Sequence, residues 1–91
     1  MGKEERLAIL KLDVGIAGDA KDVYLKHLLE LAEKEMQKEG IKSEEGTEYD
    51  GLVIQYAAYL FRKRAASETS MPRFLRYALN NLLISQKARG L

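Results

Sequence analysis

The chain has 91 residues, a formal net charge of +1 and no cysteine. One domain of this size can bury a modest core, while the missing thiols exclude disulfides and thiolate metal centres. No apolar run approaches the roughly 20 residues of a membrane span, and the charged start, Lys3-Glu4-Glu5-Arg6, is unlike a secretory signal.

The first periodic run covers residues 4–14. Leu7, Leu10 and Val14 form one helical stripe with Ile9 and Leu12 beside it. Glu4 and Glu5 occupy the first turn, where carboxylates suit the positive end of the helix dipole. Gly15 followed by Ile16 predicts a left-handed stop, with Ile16 folding back on Leu10 in a Schellman ending.

A second helix is predicted over 20–39, with Asp19 as its N-cap and Asp22 completing an imperfect capping box. Leu25, Leu28, Leu29, Ala32 and Met36 make its stripe, and Lys26, Glu30, Glu33, Lys34 and Lys38 its polar face. Gly40-Ile41 repeats the Gly15-Ile16 stop, with Ile41 reaching back to Met36. Residues 42–48 are polar and read as a surface loop.

The third helix, 48–66, starts at Thr47 as N-cap. Val53, Tyr56, Ala57 and Leu60 share one face, and Leu52, Tyr59 and Phe61 widen it over the first three turns. A helix apolar nearly all round is buried on several sides, so this one is read as central. It then turns basic at Arg62-Lys63-Arg64. After a loop at 67–70, Met71-Pro72 opens the last helix, because proline is favoured at a first helical position. Leu75, Ala78, Leu79, Leu82 and Leu83 carry its stripe to residue 85, and 86–91 read as a mobile tail. The fold class is therefore all-α: four helices, at about 4–14, 20–39, 48–66 and 72–85, in a single domain over 1–91.

Charge is divided along the chain. Residues 1–61 hold eight Lys/Arg against thirteen Asp/Glu, a net −5, and residues 62–91 hold seven against one, a net +6. Such polarity steers one subunit onto a neighbour or turns a basic end towards nucleic acid.

Chemistry is sparse. His27 is the sole histidine, and its order with Glu30 is the reverse of the Glu-x-x-His of di-metal bundles. No phosphate-binding loop, nucleophile elbow or dinucleotide fingerprint occurs. No catalytic, metal or cofactor residue is predicted, and no enzyme. Five tyrosines and two phenylalanines exceed what four short helices easily hide. Tyrosine and arginine are favoured at the centres of interfaces, which makes Tyr59, Arg62, Arg64, Met71, Pro72, Arg73 and Arg76 the candidate interface residues. A helical DNA-binding or DNA-packaging accessory protein remains a second reading, resting on the basic residues from Arg62 onward with Tyr59 and Tyr77 nearby. A helical adaptor of unrelated origin is a third.

Three segments carry a family resemblance. They are Leu10-Lys11-Leu12 with Gly15-Ile16, Asp22, Leu25, Leu29, Ala32 and Gly40-Ile41; Gln55-Tyr56-Ala57-Ala58-Tyr59-Leu60-Phe61 running into Arg62 and Arg64; and Met71-Pro72 with Leu75, Leu79 and Asn80. In this order and spacing, over nearly the whole length, the chain resembles the small head–tail connector (completion) proteins of long-tailed bacteriophages and prophages. The resemblance implies an all-α protein, soluble in the host cytoplasm before assembly, that joins the virion at the head–tail joint. It implies a ring of identical copies beneath the portal protein, docking the next connector or tail protein, with DNA passing through its lumen unread. It implies no membrane partner and no cofactor. The polar loop 42–48 and the basic residues after Ser85 depart from the family pattern.

Overall fold

The computed structural model describes residues 1–66 and 69–91. Four helices follow one another: α1 (Lys3–Val14), α2 (Asp22–Lys38), α3 (Thr47–Ala65) and α4 (Arg73–Ala88). There is no strand among the described residues. The expected all-α, four-helix class is the observed one. Of the expected loop at 67–70, residues 67 and 68 lie outside the described residues.

Periodicity explains what is buried. Leu7 and Leu10 of α1, Leu25, Leu28, Leu29, Ala32 and Met36 of α2, and Leu75, Leu79 and Leu82 of α4 are buried, each set on one side of its helix. From Tyr49 to Ala58, only Gly51 and Gln55 of α3 escape full burial. α3 packs against all three other helices. Burying a leucine-sized side chain stabilises by about 1.5–3 kcal/mol, so these stripes are the main stabilising term.

The body is flat, with extents of 41 × 31 × 18 Å. A thickness of 18 Å is about two helix layers, since a helix with side chains is about 10–12 Å across. A slab this thin leaves every helix an outward side.

Helix endings follow local chemistry closely. At Gly15 (φ 76°) the Ile16 N–H donates to the Lys11 carbonyl at 2.9 Å, and the Gly15 N–H to that of Leu12 at 3.4 Å. At Gly40 the Ile41 N–H donates to Met36 and the Gly40 N–H to Gln37, both at 3.0 Å. Both are Schellman endings. Gly90 (φ 84°) makes a third, with the Leu91 N–H on the Gln86 carbonyl at 2.9 Å and the Gly90 N–H on Lys87 at 3.1 Å.

Helix beginnings differ from expectation. Asp19 does not cap α2; its carbonyl accepts the Asp22 N–H at 3.1 Å, closing a turn, and α2 starts at Asp22. The Asp22 carboxylate instead takes the Lys11 ammonium at 2.8 Å. Gly46 rather than Thr47 is the N-cap of α3, and Pro72 is the N-cap of α4 rather than its first residue.

The largest departure is at the C-terminus. The expected break at 85 does not occur: α4 runs on through 86–88, the first part of the expected tail, to Ala88. Gln86 sits in register with Leu75, Leu79 and Leu82 and is buried with them. Its amide accepts from the Lys42 N–H at 2.8 Å and donates to the Lys42 carbonyl at 2.7 Å. The segment 41–46 supplies backbone partners to a polar side chain that a hydropathy pattern cannot place inside.

Candidate interaction surfaces

One polar cluster is spent inside the fold. Arg6 of α1 donates from Nε to Asp50 of α3 at 2.8 Å and from Nη1 to Glu33 of α2 at 2.8 Å. The Tyr49 hydroxyl donates to the other Glu33 oxygen at 2.8 Å. Burial, reinforced by the neighbouring Glu33 carboxylate, pushes the Tyr49 hydroxyl up to about 12. Burial works against the Arg6 charge, but its bonds to Asp50 and Glu33 more than offset this and hold it above the ordinary arginine value. Because these groups satisfy one another, the cluster ties three helices together and offers little to a ligand.

The charge division along the chain is also settled in part internally, by three of the seven cations after residue 61. Arg62 donates to the Asp13 carbonyl at 3.1 Å and meets its carboxylate at 3.3 Å. Arg76 binds Glu39 at 2.6 Å. Arg89 reaches both oxygens of Glu44, at 3.0 and 3.1 Å. The acidic and basic parts, expected to meet between neighbouring subunits, thus meet within one chain. The reason is topological: α4 and the end of α3 fold back beside α1, α2 and the 41–46 segment.

The seven candidate interface residues do not form one surface. Tyr59, Arg62 and Pro72 line a shallow cleft of about 220 Å³ with Phe74 and Asp13. Tyr59 is half-buried there, edge-on to Tyr56 with ring centroids 6.1 Å apart. Arg64 is exposed and lies in a different cleft, its guanidinium 4.7 Å from the Tyr24 ring centre and close to Phe61 and Lys21. Met71 is half-buried against the core. Arg76 is held by Glu39. Arg73 is exposed at the start of α4 and makes no ion pair among the described residues.

The more continuous exposed surfaces meet the candidate set only at their edge, at Arg73 and where Phe74 borders the Tyr59–Arg62–Pro72 cleft. On α4, Phe74, Tyr77 and Ile84 are 65%, 64% and 64% exposed. With Asn81 and Ala88 they fall at intervals of three, four, three and four residues, a line along the side of α4 away from the core. On α1, Leu12 is 83% exposed and Ile9 is also exposed, again opposite the buried Leu7 and Leu10. A second apolar series interleaved with the leucine stripe of α4 was the sequence signal for this face. The aromatic excess pointed to it without locating it.

His27 is exposed on the outer side of α2. Among the described residues, no group of three or more His, Asp or Glu side chains is placed to hold a metal ion, and no helix is long and apolar enough to cross a membrane. Compared with known proteins, the chain matches no family model, no curated protein and no solved structure.

Proposed function

We propose that this chain is a non-enzymatic structural protein that assembles with copies of itself into a ring, in the manner of the phage head–tail connectors it resembles. The carrying observation is the set of large apolar side chains left exposed on a single copy: Leu12 on α1 and, in line, Phe74, Tyr77 and Ile84 on α4. Scattered exposed apolar residues are normal, but aligned ones mark interaction sites. In this reading the ring sits beneath the portal protein, extends the DNA channel and docks the next connector or tail protein. The Arg6–Asp50–Glu33 cluster holds each subunit rigid while its outer helices meet neighbours. Native mass spectrometry and negative-stain microscopy at high protein concentration test the proposal, with rings expected. A strict monomer that also ignores purified portal protein overturns it.

A second reading is favoured by one observation. α4 contains no acidic residue and carries Arg73, Tyr77 and Lys87 exposed, which suits contact with a DNA backbone. It predicts salt-dependent retention on a duplex-DNA column that is lost in an R73A/K87A variant.

A further inference from the structure

We infer that subunits join through a head-to-tail contact in which the outward face of α1 of one copy lies along the outward face of α4 of the next. This rests on the self-assembly reading and names the surfaces that would perform it.

The two faces complement each other in spacing. The line on α4, Phe74, Tyr77, Asn81, Ile84 and Ala88, repeats every 3.5 residues on average, the spacing at which one helix packs along another. On α1, Glu5, Ile9 and Leu12 advance by four and three, the same repeat. Both lines lie opposite their helix's own core residues, Leu7 and Leu10 on α1 and Leu75, Leu79 and Leu82 on α4. Every residue of both lines is exposed within the chain.

They also complement each other in charge. The cations flanking the α4 line are Arg73 and Lys87, spaced two heptads apart, and the helix has no acid. On α1 the three cations are turned away from the outward line: Arg6 is bound to Asp50 and Glu33, Lys11 to Asp22, and the exposed Lys3 lines a cleft with Leu29 and Glu33 of α2. The outward side of α1 is left with Glu5 and with Glu4, which meets Lys26 of α2 at 3.1 Å yet stays 79% exposed. Glu5 makes no ion pair among the described residues, only a long 3.5 Å contact with the Gly2 N–H. Two α4 faces placed together would set Arg73 and Lys87 against cations, whereas α1 offers carboxylates. The occupant of the α4 face is therefore a second copy's α1. Since the joined patches differ, the contact repeats from copy to copy and closes into a ring if the rotation allows.

Charge reversal tests this. The variants are E4K/E5K, which makes the α1 face basic, and R73E/K87E, which makes the α4 face acidic; all four side chains are exposed. Circular dichroism checks that both variants keep their helix content, and sedimentation velocity reads assembly. Each variant alone is expected to associate about ten-fold or more weakly than the wild type at low salt. Mixed one to one they regain assembly, because the reversed α1 of one then meets the reversed α4 of the other. A wild-type chain that stays monomeric at every concentration overturns the assembly reading and this inference with it. Wild-type oligomers left intact by both reversals overturn only the α1–α4 pairing. Equal association of R73E/K87E with wild type and with E4K/E5K, which share an unchanged basic α4, would place α4 against α4 and overturn the pairing. So would unchanged oligomers combined with loss of duplex-DNA retention in R73E/K87E, which would assign the face to nucleic acid.

Discussion

Arg6 and Asp50, forty-four positions apart, meet at 2.8 Å between the Arg6 Nε and a carboxylate oxygen that is almost wholly enclosed. This pair joins the first helix to the third. An aspartate in the first turns of a helix ordinarily faces solvent, where the helix dipole favours it. Here it is inside, and only a charged partner makes that tolerable.

Removing one charge is therefore expected to cost far more than removing both. Asp50→Asn should lower unfolding free energy by about 1.5–3 kcal/mol, because Arg6 loses one of its two carboxylate partners and keeps only Glu33. The joint replacement of Arg6 by Met and Asp50 by Leu should cost much less than the sum of the two single changes. Urea titration of the three variants measures this, and additive losses would show that the pair is not acting as a unit.

Tyr49 predicts alkaline behaviour. Its hydroxyl titrates near 10 when unfolded and is pushed up to about 12 in the fold. The neutral form is the one the fold prefers, so its contribution is complete below pH 10 and is lost as pH rises towards 12. The contribution is on the order of 2 kcal/mol. Phenolate absorbance should show late ionisation from Tyr49 and from Tyr56, whose hydroxyl is also raised by burial, and Tyr49→Phe should remove the Tyr49 share.

Gln86 and the Lys42 backbone form a two-bond clamp, at 2.7 and 2.8 Å. Gln86→Ala should destabilise by about 1–3 kcal/mol through the unsatisfied Lys42 amide and carbonyl. Hydrogen exchange at the Lys42 amide should rise at the same time. If exchange at that amide is unchanged, the clamp does not hold the 41–46 segment.

Glu44 sets a test at acid pH. Hydrogen bonds from Arg89 and Gln86 hold its carboxyl below the ordinary glutamate range. A depressed value means the contribution is complete above the unfolded-state value, about 4.3, and is lost as pH falls through the folded one. Arg89→Ala should flatten this acid-side loss. A variant with the same acid profile as the wild type would show that the Arg89–Glu44 contact contributes nothing to stability.

How much of this was legible beforehand varies with the residue. Leu25, Leu29, Leu75 and Leu79 announced their burial by spacing alone, because an apolar residue every three or four positions has one way to leave water. Gly15 and Gly40 announced their helix ends because a left-handed residue followed by an aliphatic one is a local arrangement. Gly90-Leu91 follows the same rule, yet Gln86 made the pattern look finished before it. Arg62 and Arg76 illustrate the opposite case. Their charges were visible, but whether a neighbour or the same chain would neutralise them depended on where Asp13 and Glu39 lay.

By itself, then, the sequence determined the helical class, the core stripes and the stops at Gly15 and Gly40. All of these depend on side chains within about five residues of one another along a helix. Only the tertiary structure decided that Asp50 and Gln86 are inside, that the two charged parts of the chain meet internally, and that Phe74, Tyr77 and Ile84 remain outside. A polar group's burial depends on a partner brought from some forty residues away, and an apolar group's exposure depends on which side of a two-layer slab runs out of neighbours. Neither distance is written in local spacing.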